Sequence, residues 1–254
     1  MPSILDQVQQ HKQMKPLKML IYGDNGVGKS TFCSQAPQPL MLDLEGNIDH
    51  LNTPKLVVRT FEDLQATLQA LGSEEHDYQT VVVDSIDTLE QLFWLRICYE
   101  NQVSSIEDAR KLDYGRGYVL AQSLWKAFLD ALDQLREKKK LNIILIGHAA
   151  VVSRVDKTSG ETFERTELRI HKKAAGLLGD WCHCIAYAHV PLTFSHSGKK
   201  PARVCSSGSR LMAMTGSATF FAKNVYDLSS PISLDWDTFS TAIDLFFNPK
   251  ETLK

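Results

Sequence analysis

Residues 17–31 read LKMLIYGDNGVGKST, a short apolar run that turns through three glycines into a segment able to continue as a helix. Gly23 to Ser30 fit G-x-x-x-x-G-K-[ST] at every defined position, and a strand before and a helix after are the context in which that pattern cradles phosphate. Gly23, Asp24, Asn25, Gly26, Val27 and Gly28 form a loop whose backbone N–H groups turn inward around a β-phosphate. Lys29, Ser30 and Thr31 open the helix behind it, whose positive N-terminal end faces the anion. In this reading Lys29 reaches the β- and γ-phosphates and the Ser30 hydroxyl holds Mg²⁺, so ATP and Mg²⁺ are the implied cofactors. A chance glycine-rich turn would need both Lys and Ser in register.

Working outward, short apolar runs alternate with longer amphipathic ones: PLMLDL at 39–44, LVVRTF at 56–61 leading into FEDLQATLQAL, TVVVD at 80–84 leading into SIDTLEQLFWLRICYE, and LNIILIGH at 141–148. Between the last two lies a run in which Leu120, Leu124, Phe128, Leu132 and Leu135 keep helical spacing. Such alternation implies βαβ crossovers and a mostly parallel, twisted sheet flanked by helices. After Ala150 the segments are charged and carry Gly and Ser, and CIAYAHVPLTF, ARVCSS and RLMAMTG read as shorter antiparallel strands toward the C-terminus. The expected organisation is a polar arm at 1–16, a core domain at 17–247 and a tail at 248–254.

The 254 residues, 43% of them hydrophobic, suffice for a sizeable core. Neither an N-terminal apolar signal segment nor a run of about eighteen apolar residues occurs, so a cytoplasmic protein without membrane association is expected. Five cysteines with no Cys-x-x-Cys pair argue against a disulfide framework and a structural zinc site. WCHCIAYAH, with Cys182, His183, Cys184 and His189, reads as one face of a buried strand. A net charge of −2 gives no global attraction to nucleic acid, so any basic face must be local.

TVVVDS ends on Asp84, a carboxylate at the end of an apolar strand, where a Walker B acid binds Mg²⁺ together with Ser30. Asp87, one helical turn on, reads as an exposed or helix-start residue. LMLDLEGN, residues 40–47, brings Asp43 and Glu45 to the end of the strand that follows the first helix. Hydrolysis needs a group that orients water, and Glu45 is the candidate. The residue behind Asp84 is Ser85, so the alternative position for that glutamate is empty. Asp43 reads as a local hydrogen-bonding group, with Gly46 permitting the turn.

With these motifs in hand, the chain resembles the RecA-like recombinase core, an α/β P-loop NTPase fold: LMLDLEG is similar to its strand-plus-glutamate motif and LNIILIGH to its sensor strand. His148 stands where that family reads the γ-phosphate, most often with Asn-Gln. The histidine, the Asp-x-Glu-Gly motif and the size are similar to the small single-domain RecA-like ATPases of phages, associated with single-strand annealing and recombination. The resemblance spans about Lys18 to Phe246. It implies single-stranded DNA as a partner, self-association into a ring or filament, a single-strand DNA-binding protein as a further partner, and the host cytoplasm as location if the chain is phage-encoded. FFAKNVYDL is similar to an interface element that supplies a lysine to the neighbour's γ-phosphate; Lys223 and Asn224 match, and Val225 departs from the family's arginine. An ordinary surface lysine accounts for Lys223 almost as well.

In that fold, the segments after the Walker B helix and after the sensor strand hold DNA. The first offers Tyr114, Arg116 and Tyr118 in LDYGRGYVL, cations and aromatic faces suited to a single strand. The second, residues 149–175, offers Arg154, Lys157, Arg165, Arg169, Lys172 and Lys173, with Phe163 either inserted between bases or folded back; a merely solvated surface is the other reading. Lys199, Lys200, Arg203 and Arg210 receive no role. The function expected is a DNA-stimulated ATPase in recombination or annealing. The alternatives are a P-loop phosphotransferase and a regulatory ATPase acting on a protein partner without nucleic acid.

Overall fold

The computed structural model describes residues 12–195, 203–206 and 208–248, with backbone alone for 193–195 and 203–206. Most of the expected arm, Lys199, Lys200, the Arg203 side chain and the tail from 249 lie outside the described residues.

β1 (Lys18–Gly23) ends in the glycine loop, and α1 (Lys29–Cys33) follows it. β2 (Pro39–Asp43) and β3 (Lys55–Val57) come next, then α2 (Phe61–Ser73). β3 is shorter than the apolar run LVVRTF suggests because Thr60 is captured as the helix cap: its side chain accepts from Asp63 N–H while Asp63 accepts from Thr60 N–H, a reciprocal capping box. β4 (Thr80–Asp84) leads into α3 (Ile86–Asn101), and after a tight turn at Asp113–Gly115, α4 (Arg116–Lys138) returns the chain to β5 (Asn142–Val155).

Here the structure departs from the simplest reading. β5 does not stop at His148 but runs on through a stretch rich in β-branched residues and pairs antiparallel with β6 (Thr162–Leu168). The charged segment is therefore a protruding β-ribbon rather than a loop. α5 (Lys172–Trp181) follows, a helix that Gly176 and Gly179 disguise in the sequence. Because α5 acts as a crossover, β7 (Cys184–His189) returns parallel to β1, where an antiparallel strand was expected for CIAYAH. The later strands are antiparallel as expected. β8 (Leu192–Ser195) pairs with β9 (Arg203–Ser206), β10 (Leu211–Ala213) and β11 (Lys223–Asn224) pair with β7, and β12 (Ile232–Ser233) pairs with β10, before α6 (Trp236–Phe247) ends the fold.

The main sheet has the order β12-β10-β7-β1-β5-β4-β2-β3, parallel from β7 to β3. β5 thus lies between the strand that carries the glycine loop and the strand that carries Asp84. Side chains alternate between two cores. Leu20, Leu42, Val83 and Leu145 join Leu64, Phe93, Trp125 and Leu178 of α2 to α5, whereas Met19, Met41, Val82 and Ile144 join Phe32 of α1 and Phe239 of α6. The same period of two puts Asp43, Asp84 and His148 on the α1 side, at the carboxyl edge of the sheet, where an open α/β sheet binds ligands.

Trp125 is fully buried, edge-on to Phe93 at 5.2 Å between centroids, and anchors α4 to α3. Trp125→Ala is expected to cost about 3–5 kcal/mol of unfolding free energy, measured by denaturant titration.

Candidate functional site

Ten residues of loop, strand end and helix start meet in a cavity of about 440 Å³ that Gly28, Lys29, Ser30, Thr31, Asn25 and Gly26 line from one side and Asp43, Glu45, Asp84 and His148 from the other. A larger groove of about 510 Å³ between α2 and α4 holds Leu64, Leu68, Phe128 and Leu135 and none of these groups. Polar convergence, not volume, identifies the site.

The glycine loop adopts the shape its residues permit. Gly26 and Gly28 have φ of 76° and 106°, a region that side chains strain to enter. Gly23 needs room as well: a Cβ there would lie 2.1 Å from the Ala188 carbonyl oxygen of neighbouring β7. Val27 is buried in the α1-side core and fixes the loop's back. Lys29 is buried, and its Nζ donates to the Gly23 and Asp24 carbonyls, both at 2.9 Å. Burial pushes its pKa down while nearby Asp84, Asp87, Glu45 and Asp24 push it back up. The ammonium therefore spans its own loop, where an anion can draw it inward.

Ser30 Oγ donates to Asp84 Oδ2 at 2.6 Å. Burial raises the Asp84 pKa, opposed by that hydrogen bond and by Lys29. A hydroxyl and a carboxylate in contact on the cavity floor, with no neutralising ion pair to Asp84 among the described residues, fit Mg²⁺, which takes few protein oxygens and completes its shell with water and phosphate.

The stretch behind β2 is held as a turn. Asp43 Oδ1 accepts the Gly46 N–H at 2.6 Å, Gly46 has φ of 78°, and Arg59 Nη1 donates to the Leu44 carbonyl at 3.1 Å. Asp43 is thus a local brace. Glu45 projects into the cavity, where Oε1 accepts from the Ser85 hydroxyl and, at 3.4 Å, from Thr88 Oγ1, while Oε2 accepts from Asn47 at 3.2 Å. His148 Nδ1 stands 3.7 Å from Glu45 Oε1. The peptide bond between Asp84 and Ser85 is cis.

Asp87, read from sequence as exposed or helix-starting, is in the first turn of α3 but buried. Its Oδ2 accepts the His148 backbone N–H at 2.9 Å and lies 3.2 Å from His148 Nδ1; its Oδ1 accepts from Arg169 Nε at 2.9 Å. Burial alone would raise this carboxyl, yet the donors from His148 and Arg169 hold it below the usual range. The only signal in the sequence is a second acid three residues after Asp84.

The residues proposed for a strand surface scatter and then partly regroup. Arg169 lines the nucleotide cavity. Arg154 pairs with Glu167, and Arg165 Nη1 lies 3.7 Å from Glu167 and over the Phe221 ring. Lys157 is exposed at the ribbon's turn, and Phe163 is half-buried opposite Arg154. Tyr114 is fully exposed, Arg116 starts α4, and the Tyr118 ring stacks on His171, centroids 4.0 Å apart and 2° from parallel. His171 caps α5, whose first residues are Lys172 and Lys173, so one stack joins the two segments. Lys223 lies elsewhere: its Nζ donates to the carbonyls of Gly179 at 2.8 Å and Asp180 at 3.3 Å, at the end of α5. Cys182 and Cys184 are buried, and His183 Nδ1 bonds the Tyr226 hydroxyl at 2.9 Å. Among the described residues no group of three His, Cys, Asp or Glu is arranged to hold a metal, and no helix is long and apolar enough to cross a membrane.

A family model described as an AAA domain matches residues 15–226. No curated protein matches the chain. Among solved structures, the chain is similar to the crystal structure of the RadB recombinase, with 16% identity, a TM-score of 0.44 and coverage of 79% of this chain and 81% of that one, a likeness that carries no functional inference.

Glu90, one turn beyond Asp87, accepts the His171 N–H at 2.8 Å, and the Trp125 indole lies beside it without a well-formed hydrogen bond. Burial pushes its carboxyl from 4.5 to about 7. The folded chain then holds a proton that the unfolded chain has released, so stability falls as pH rises through that window. Between pH of about 5 and about 7, the wild-type melting temperature should fall relative to Glu90→Gln, which keeps an acceptor for His171 but does not titrate. Parallel pH profiles for the two proteins would contradict this.

Proposed function

The chain belongs to the AAA-domain family, and from that membership and the geometry of the cavity we propose that it is an ATP-hydrolysing RecA-like protein that binds single-stranded DNA and acts in recombination or strand annealing. The observation that carries the reading is Glu45, held by the hydroxyls of Ser85 and Thr88 in the cavity that Lys29 enters.

In this reading the glycine loop and Lys29 bind the triphosphate. Ser30 and Asp84 would hold Mg²⁺, which would supply positive charge to the phosphate oxygens. The Ser85 and Thr88 hydroxyls orient Glu45 toward the attacking water, and Glu45 takes that water's proton as its oxygen bonds to the γ-phosphorus and the bond from that phosphorus to the β-phosphate oxygen breaks, releasing ADP and phosphate. Asp87, held ionised, lies 3.2 Å from His148 Nδ1 and fixes the orientation of the ring at the cavity wall, where the γ-phosphate would stand. His148 and Arg169 bracket the β5–β6 ribbon at its base, and the Arg169 N–H donates to the His148 carbonyl at 2.9 Å. Loss of the γ-phosphate is thereby felt at the root of the ribbon.

The strand surface is formed by Tyr114, Arg116 and the Tyr118–His171 stack with Lys172 and Lys173, joined by Lys157 and the ribbon. Phosphate contacts from these cations would dominate binding and make it weaken steeply with salt. Arg154 and Arg165 contribute less while Glu167 occupies them. The active form is taken to be an assembly, in which Lys223 leaves the α5 carbonyls to meet a neighbour's nucleotide and stabilise developing charge.

ATP turnover measured with and without single-stranded DNA tests the proposal. DNA should stimulate it, Lys29→Ala should abolish ATP binding and turnover together, and Glu45→Gln should bind ATP with turnover lowered by about 10² or more. Parental turnover in Glu45→Gln would contradict the assignment of the base. Turnover indifferent to DNA would favour a phosphotransferase or a regulatory ATPase with a protein partner.

A further inference from the structure

Arg210 reaches the nucleotide cavity from a part of the chain that the reading above leaves unused. It precedes β10 at the antiparallel margin of the sheet, where its carbonyl accepts the Leu234 N–H at 2.9 Å and pins its backbone. Its side chain crosses to the glycine loop: Nη1 lies 2.8 Å, and Cδ 3.6 Å, from where a Cβ on Gly28 would stand. The missing side chain at Gly28 therefore serves twice, allowing φ of 106° and giving the guanidinium its place.

Charge gives that position a meaning. Arg210 shares the cavity with Lys29, a like charge. The carboxylates that line the same cavity are engaged by other groups: Asp43 by the Gly46 N–H, Glu45 by Ser85, Thr88 and Asn47, and Asp84 by Ser30. Among the described residues no acid forms an ion pair with Arg210, whereas Arg154 and Arg169 each have one. Arg169 is held by Asp87, which leaves Lys29 and Arg210 at the glycine loop, and a guanidinium presents a planar fork matched to phosphate oxygens.

We propose that Arg210 is a phosphate ligand acting in cis, which closes over the glycine loop and holds the phosphates that ATP and ADP have in common. This rests on the nucleotide-binding reading and specifies it further. Asp84, Glu45 and His148 attend the γ-phosphate end, while Gly28 belongs to the loop around the β-phosphate, so Arg210 contributes to affinity for diphosphate and triphosphate alike. It binds phosphate and takes no part in the proton transfer, and it explains why a loop built for nucleotide is served by the antiparallel strands that follow the parallel core.

Titration calorimetry with Mg²⁺-ADP and with a non-hydrolysable Mg²⁺-ATP analogue tests this in the full chain. Arg210→Ala should raise Kd by about tenfold for both nucleotides, the loss of one charge-assisted contact, and Arg210→Lys should recover part of it. As an exposed residue, Arg210 can be replaced without lowering the melting temperature, which each variant's thermal scan verifies. An unchanged ADP affinity in Arg210→Ala overturns the inference and leaves the nucleotide site standing. A loss confined to the ATP analogue also overturns it, since that would make Arg210 a γ-phosphate contact. Wild-type protein that binds neither nucleotide would overturn the nucleotide reading and this inference with it.

Discussion

Asp87 is a carboxylate taken out of water at the first turn of α3 and tolerated there because three donors converge on it: the His148 N–H, the His148 ring and the Arg169 guanidinium. A buried carboxylate without such donors would protonate or pull water inward. With them it becomes a fastener. It joins the helix behind the Asp84 strand to the strand between Asp84 and the glycine loop, at the point where β5 leaves the sheet and becomes the ribbon. Removing its carboxylate would leave the His148 N–H buried and unpaired, at about 1–3 kcal/mol, and would free the imidazole that stands 3.7 Å from Glu45. The positions of the candidate phosphate sensor and the ribbon's root are consequences of one salt-bridged hydrogen-bond set, beside which Ser85, Thr88 and Asn47 hold the candidate base.

Most of the parallel core was legible because burial on both faces of a sheet demands unbroken apolar runs, and KMLIYG, PLMLD, TVVVD and NIILIGH are such runs. The glycine loop was legible for a different reason: few residue types satisfy its backbone, and Lys29 and Ser30 follow in fixed register. What stayed hidden depends on pairings between distant segments. β-branched residues after His148 are as compatible with a charged loop as with a strand until β6 supplies a partner. Gly176 and Gly179 lower the helical signal of α5, yet without that crossover β7 could not lie parallel to β1. The capping box at Thr60 outbid a longer β3 because a local hydrogen-bond pair forms without any partner strand.

The site divides along the same line. Glu45, Asp84 and Ser30 could be named from strand ends and motif spacing, and the fold brings them into one cavity. Asp87, Thr88 and Arg210 could not, since nothing in their immediate neighbours distinguishes them from surface polar residues. Arg169 looked like one more cation of a basic segment, and only the tertiary structure joins it to Asp87 and the nucleotide cavity. Conversely, the Tyr118–His171 stack draws two separate basic and aromatic segments together, which composition alone could not reveal.

The proposed function thus turns on whether nucleotide at Lys29 and a strand at Tyr118 and the ribbon are linked through Asp87. Linkage is reciprocal, so it can be read from the DNA side. The most direct measurement is the affinity for a fluorescent single-stranded oligonucleotide at low salt, with a saturating non-hydrolysable ATP analogue and again with saturating ADP. Binding should be at least about fivefold tighter with the analogue, the lower end of ordinary coupling. Equal affinity in the two nucleotide states, or no binding in either, would contradict it.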